Sequence, residues 1–138
     1  MAVYLSNGVV LTVNAVDLSS LVSSVTINRT FDELEVTAMG DGGHRFVKGL
    51  EASSITIDFF NDEATSKTLQ TLNSSSVWGN NVVVTVKQTS AATSATNPLY
   101  TMTCLVNNTT PVNGAVGDIS TQSVTWNVSG TIAITTTA

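Results

Sequence analysis

The chain has 138 residues, 42% of them hydrophobic, and a formal net charge of −5 from ten acidic and five basic residues. This length fits one domain, residues 1–138, that buries its own core. A single cysteine excludes an internal disulfide, and the acidic balance argues against a protein that grips nucleic-acid phosphates, which requires a basic face.

Val and Thr are abundant and favour strands, because branching at Cβ restricts χ1 in helices. In the first half of the chain, alternating apolar and polar residues predict strands at residues 8–13 (after a short lead at 2–5), 24–31, 33–39 and 53–60. We expect the second and third of these to pair as a hairpin through Phe31 and Asp32. Asp17 is expected to cap a helical turn that ends at Val22.

A glycine-rich segment follows at residues 40–50, with glycines at 40, 42, 43 and 49. This density of glycine predicts a long loop with unusual backbone angles. The segment also contains Phe46, Val47 and Leu50, which a free loop would not expose. We therefore expect it to pack on its own domain or on a neighbouring subunit.

The second half of the chain contains one good helix pattern, at residues 62–72. Asp62 and Glu63 suit the positive end of the helix dipole, and Lys67 lies four residues after Glu63. Strands are predicted at residues 82–87, 99–107 and 122–134, with turns at 89–98 and 110–118. The predicted fold is mainly β: a β-sandwich or flattened barrel with one flanking α-helix and a long Gly-rich loop.

Catalytic patterns are weak in this sequence. His44 is the only histidine and lies near Asp41 and Arg45, so a Ser-His-Asp arrangement stays open. No Gly-x-Ser-x-Gly nucleophile motif accompanies it, and a hydrogen-bonding or interface histidine is favoured. The adjacent acids at 32–33 and 62–63 have ordinary explanations at a turn and at a helix start. We predict no enzymatic activity.

Metal and cofactor patterns are equally weak. One histidine and one cysteine are too few for a transition-metal site. A calcium site stays open as a weak alternative, because Asp and Asn oxygens bind calcium but the sequence has no Asp-x-Asp-x-Asp-Gly loop. No cofactor is predicted. Cys104 lies in a strand-like run and is interpreted as a small buried hydrophobe. No apolar run approaches the roughly 20 residues of a membrane-spanning helix, residues 1–13 lack a signal-peptide pattern, and no membrane contact is expected.

Several segments together resemble the small tail tube (major tail) proteins of long-tailed bacteriophages. The matching segments are DLSSLVSSVTINR (17–29), FDELEVTAMG (31–40), HRFVKGL (44–50), SAATSATNP (90–98), PVNGAVGD (111–118) and VTWNVSG (124–130). Their order and spacing extend the resemblance from about Val3 to Ile134.

The resemblance implies a tail-tube-like β-sandwich with a flanking helix and no catalytic residues. Such subunits close into rings, usually hexameric, and the rings stack into a tube that conducts double-stranded DNA during ejection. The implied partners are copies of the same chain, the tape measure, and the tail terminator and tip proteins. The implied location is the virion tail, assembled in the host bacterial cytoplasm.

The resemblance also suggests site residues. The Gly-rich loop would reach an adjacent subunit or ring through Gly40, Asp41, Gly43, His44, Arg45, Phe46, Val47, Lys48 and Leu50. An acidic lumen would repel DNA phosphates when the duplex drifts within about 8 Å of the wall. The candidate lumen-facing acids are Asp32, Glu33, Glu35, Asp41 and Asp58.

Two alternatives are kept. A capsid decoration (cement) protein of a phage head would share the size and β content. A carbohydrate-binding or adhesion module would use aromatic platforms, for which the candidates are Tyr4, Trp78, Tyr100 and Trp126. We expect Trp126 in the core and Trp78, beside Gly79, on the surface.

Overall fold

A computed structural model describes residues 8–137, so the predicted lead at 2–5 and Tyr4 lie outside the described part. The strands are β1 Val10–Val13, β2 Val16–Asp17, β3 Val22–Asn28, β4 Phe31–Glu35, β5 Phe46–Glu51, β6 Ser54–Phe60, β7 Asn81–Lys87, β8 Leu99–Leu105, β9 Thr121–Asn127 and β10 Ala133–Thr135. The α-helix of the described residues is α1, Thr68–Asn73, and a 3-10 helix spans Ser19–Leu21. A mainly β fold with one short helix is confirmed.

The strands form antiparallel sheets. Five strands are ordered β10-β8-β7-β1-β2, three are ordered β3-β6-β9, and β4 and β5 form a separate pair. An isolated bridge between Cys104 and Val128 joins β8 to the chain that leaves β9. The larger sheets are therefore linked along one side.

One hydrophobic cluster contains buried side chains from both larger sheets. The three-stranded sheet contributes Phe59 and Trp126, whose ring centroids are 6.4 Å apart. The five-stranded sheet contributes residues such as Leu11 and Val84, and α1 contributes Leu72. Because side chains alternate across a strand, each sheet buries one face and exposes the other. The core positions predicted for Trp126 and Cys104 are confirmed.

The predicted hairpin turn at Phe31 and Asp32 is wrong. β3 pairs with β6, and β4 continues onward to pair with β5. Between the two pairs of strands, Thr30 and Ala52 form two hydrogen bonds. The Thr30 hydroxyl donates to Ala52 O, and Ala52 N donates to Thr30 O, each at 2.7 Å. The chain turns later, where Asp41 N donates to Ala38 O at 3.1 Å. Gly40 supplies the positive φ of +93° in that turn, a conformation that Phe31 and Asp32 would adopt only with strain.

The predicted helix at 62–72 is shorter than expected. The Asp62 carboxylate accepts a hydrogen bond from Ala64 N at 2.9 Å, and Ser66 has a φ of +61°. Short polar side chains that bond nearby backbone compete with helix formation. The helix therefore begins only at Thr68, whose hydroxyl donates to Phe60 O at 2.8 Å.

Two further boundaries differ from the prediction. The strand expected at 122–134 is two strands, because Gly130, with a φ of +94°, redirects the chain from β9 to β10 on the other sheet. The helical turn expected from Asp17 to Val22 is the 3-10 helix Ser19–Leu21, and its N-cap is Leu18 rather than Asp17. Asp17 instead accepts a hydrogen bond from Ser19 N at 2.9 Å. A hydrogen bond from the Ser19 hydroxyl and then the one from Ser19 N lower the pKa of Asp17.

Candidate assembly surface

The β4–β5 hairpin, residues 31–51, is called the arm. Among the described strands β4 and β5 pair only with each other, and from 31 to 50 only Asp41 and Gly49 are not exposed. The loop predicted at 40–50 is thus partly wrong, since Phe46–Glu51 is a strand. The glycine at position 49 contributed to the loop prediction. In the structure Gly49 lies in a β-bulge, where two residues of β5, Gly49 and Leu50, lie opposite the single residue Asp32 of β4.

One face of the arm is apolar. Leu34 lies opposite Val47 in the register, and Val36 N donates to Arg45 O at 2.8 Å. Since side chains alternate along each strand, Leu34, Val36, Val47 and Leu50 share this face with Asp32 and Arg45. The four apolar side chains are all exposed, Leu50 by 80%. We call this set the apolar face of the arm.

The opposite face carries aromatic rings beside charges. Lys48 Nζ lies 5.5 Å from the ring centroid of Phe31, and the rings of His44 and Phe46 are 6.2 Å apart. A lysine over an aromatic face is a cation–π contact. Both phenylalanines nevertheless remain about half exposed. The arm thus presents apolar surface on both sides.

Hydrogen bonds organise the tip of the arm. The Glu35 carboxylate bonds to His44 Nδ1 and accepts a hydrogen bond from the Thr37 hydroxyl at 2.8 Å. The hydrogen bond with His44 lowers the pKa of Glu35 most, and the hydrogen bond from Thr37 lowers it further. The Asp41 carboxylate accepts a hydrogen bond from Ala38 N at 2.7 Å. His44 therefore pairs with Glu35 rather than with Asp41.

Five acids were predicted to share the lumen. Asp32, Glu33, Glu35 and Asp41 all belong to the arm, but Asp58 lies on the three-stranded sheet between Ser24 and Ser123. The structure therefore does not bring the five acids together. Their orientation toward a lumen stays a prediction.

The outward face of the three-stranded sheet is almost free of charge. Thr26, Thr56 and Thr125 form one row across it, and the Thr56 and Thr125 hydroxyls are 3.0 Å apart. The flanking positions on this face are Asn28, Ser54, Asn127, Ser24, Asp58 and Ser123. Uncharged hydroxyls and amides cost less to desolvate than charges do, which suits a protein contact.

A second apolar surface was missed in the sequence. It is formed by Val112, Val116 and Ile119, which are 89%, 107% and 74% exposed, and we call residues 112–119 the apolar loop. The sequence did contain an indication of this surface, because two valines, Val112 and Val116, lie in the predicted turn at 110–118. The same argument that singled out Phe46 in the Gly-rich segment applied to them.

A buried polar network holds the base of the apolar loop. Gln122 Oε1 accepts hydrogen bonds from the Thr109 hydroxyl at 2.8 Å and from Thr110 N at 2.9 Å, and Gln122 Nε2 donates to Asn61 Oδ1 at 2.8 Å. Asn113 Nδ2 donates to Thr121 O at 2.7 Å. A fully bonded buried amide fixes the backbone around it. The loop is therefore presented on an ordered support.

The aromatic candidates for a sugar platform are dispersed. Trp126 is fully buried, and its indole Nε1 donates to Asn108 O at 3.2 Å. Tyr100 packs half-buried against the core, and Trp78 is exposed. Trp78 is the most exposed of these three.

In the described residues, no three His, Cys, Asp or Glu side chains are grouped as metal ligands would be. Among residues 8–137, no helix has the length and apolar character needed to cross a membrane. A scan against protein-family models finds no match, and a search of the curated proteins finds no similar sequence.

Proposed function

We propose that the protein is a virion structural subunit that polymerises as stacked, hexameric rings into a bacteriophage tail tube, a conduit for double-stranded DNA. The observation that carries the proposal is the arm, whose apolar face is exposed in the single chain. Contiguous exposed apolar surface on an ordered element is typical of a protein–protein contact. The role requires no catalytic residue and no cofactor.

The arm is expected to be only marginally stable in an isolated chain. A two-stranded hairpin without a third strand or a covering element is marginally stable in water. Burying the apolar face against a neighbouring copy removes Leu34, Val36, Val47 and Leu50 from water at once. At about 25 cal/mol per Å² of apolar area, that burial favours assembly.

The architecture supports the same proposal. Two antiparallel sheets that share one core are consistent with a tail-tube-like β-sandwich. β3 is an edge strand of seven residues, VSSVTIN, without charge or proline. Such an edge is a template for pairing with another chain, and closure into a ring removes it.

Charge supports the conduit. The arm holds five acids (32, 33, 35, 41 and 51) against Arg45 and Lys48, so its net charge is −3 with His44 neutral. Negative charge near the lumen repels phosphates and keeps DNA from adhering to the wall. We propose that some of Asp32, Glu33, Glu35, Asp41 and Asp58 face the passing duplex, and that the tape measure, terminator and tip proteins are further partners in the tail.

Sedimentation velocity tests the assembly role. The wild-type chain should sediment as rings or longer polymers, and the double variant Val47→Asp/Leu50→Asp should sediment as a monomer with an unchanged melting temperature. Val83→Asp, an exposed position on β7, is the matched control and should assemble. A monomeric wild-type chain would defeat the proposal, and discrete trimers that bind empty capsids would favour a decoration protein.

A further inference from the structure

A groove opens into the hydrophobic core between β3 and the β7–β8 pair. It has a volume of about 330 Å³, and we call it the end groove. Its lining residues are Val25, Ile27, Arg29, Val86, Gln88 and Tyr100. Val25, Ile27 and Tyr100 pack against the core but are only partly buried. The end groove therefore exposes apolar surface that belongs to the interior of the domain.

The described part of the chain begins beside this groove. The register of β1 and β7 pairs Val10 with Lys87, which brings the preceding residue, Val9, opposite Gln88 of the end groove. Val9 is partly buried and packs against the core. Gly8, directly before it, lies in a turn. The residues that precede Gly8 are thus attached to the fold within reach of the end groove.

Residues 1–7, outside the described part, have a sequence that suits an apolar groove. They include Val3, Tyr4 and Leu5 in succession and no charged side chain. Asn7-Gly8 is a pair that favours reversal of the chain, because both residue types tolerate positive φ. Four residues of chain span at most about 14 Å, enough to cross a groove of this size. A tethered segment also has an effective concentration on the order of millimolar, which favours it over a free competitor.

The charge at the rim of the end groove already has a counterpart in the same chain. Hydrogen bonds from the Ser53 hydroxyl and from Ile132 N lower the pKa of Glu51 most, and the positive charge of Arg29 lowers it further. Arg29 therefore does not require an acidic occupant. An uncharged apolar segment fits the apolar walls, since burial of its side chains removes apolar surface from water on both sides.

We propose that residues 3–5 of the same chain dock in the end groove and close the core there, with Leu5 beside Ile27. The occupant is a segment of this chain, and its partner surface is the inner side of β3, β7 and β8. The inference goes beyond the proposed tail tube function and does not depend on it, because it concerns the core of a single subunit.

Disulfide formation tests the docking. A disulfide requires Cα atoms within about 7 Å of each other. In Leu5→Cys/Ile27→Cys, oxidised glutathione should therefore join the two thiols within one chain, while Cys104 stays buried and unmodified. Leu5→Cys/Val83→Cys is the control, because Val83 is exposed on the outer side of β7, and it should react at least about tenfold more slowly. A disulfide between two chains would assign the groove to a second copy and overturn the proposal, as would equal rates in the two variants.

Hydrogen exchange gives a second readout without added thiols. Leu5→Asp should speed the exchange of amide hydrogens at residues 25–29 and 86–88 about tenfold, because a charged side chain leaves the end groove open. Met39→Asp adds the same charge at the exposed tip of the arm and should leave those rates unchanged. Wild-type rates in Leu5→Asp would refute the docking. Tube formation by the wild type is scored separately, so its failure would refute the proposed function and leave this inference standing.

Discussion

Gly49 approaches Asp32 so closely that a side chain does not fit between them. A Cβ atom on Gly49 would lie 2.8 Å from the Asp32 Cβ atom and 2.8 Å from the Asp32 carbonyl oxygen. This contact lies in the bulge at the base of the arm, where Asp32 faces both Gly49 and Leu50. The position of the arm therefore depends on the absence of a single methyl group.

We predict that Gly49→Ala loosens the arm. Forcing an atom into occupied space costs about 1–3 kcal/mol, so amide hydrogens of β4 and β5 should exchange about tenfold faster or more. Gly43→Ala is the matched control, because a Cβ atom there meets nothing within 4 Å. Equal exchange rates in the two variants would show that the bulge tolerates a side chain.

The buried Trp126 should dominate the stability of the core. Replacing a fully buried tryptophan by alanine removes its packing against Phe59 and leaves a cavity, at a cost of about 3–5 kcal/mol. Trp78→Ala, at the exposed tryptophan, should change the free energy of unfolding by less than about 0.5 kcal/mol. Urea denaturation of both variants checks this, and equal losses would contradict the core assignment.

The Cys104 thiol should be inert in the folded protein. Burial raises its pKa to about 12, so almost no thiolate is present at neutral pH. We expect no reaction with a thiol reagent until denaturant unfolds the chain. Met39→Cys, at the exposed tip of the arm, should add one thiol that reacts rapidly in the native state. Prompt labelling of Cys104 in the native wild type would contradict its burial.

Acid should loosen the tip of the arm. The folded pKa of Glu35 is lowered from its ordinary value of 4.5 by the bonds to His44 and Thr37. The resulting stabilisation is complete above the ordinary value and is lost as the pH falls through the lowered pKa. The protection of the amide hydrogens at residues 35–45, taken relative to intrinsic exchange at the same pH, should therefore fall below about pH 4.5. Glu35→Gln should weaken this dependence and Glu33→Gln should keep it; identical profiles for both would argue against the assigned cause.

Strands with a clear alternation were predictable from the sequence. β6 was expected at 53–60 and spans Ser54–Phe60, because its buried and exposed residues alternate with a period of two. The pairing of strands was harder. The alternation at residues 24–39 is compatible with two strands that pair with each other as a hairpin. It is equally compatible with two strands that each pair with a different, distant strand. The observed partners, β6 for β3 and β5 for β4, lie far along the chain.

Only part of the candidate assembly surface could be predicted from the sequence. Phe46, Val47 and Leu50 stood out because glycines surround them, and the structure exposes all three. Their arrangement with Leu34 and Val36 on one face depends on the cross-strand register, which local sequence does not determine. The apolar loop depends on Gln122, whose hydrogen bonds to Thr110 and Asn61 join residues far apart in the chain.

Electron cryo-microscopy of the purified, concentrated wild-type chain tests the central claim most directly. We predict hollow tubes of stacked rings in which the arm of each subunit contacts a neighbouring copy. Monomers at all concentrations, or discrete trimers that decorate empty capsids, would contradict a tail tube subunit.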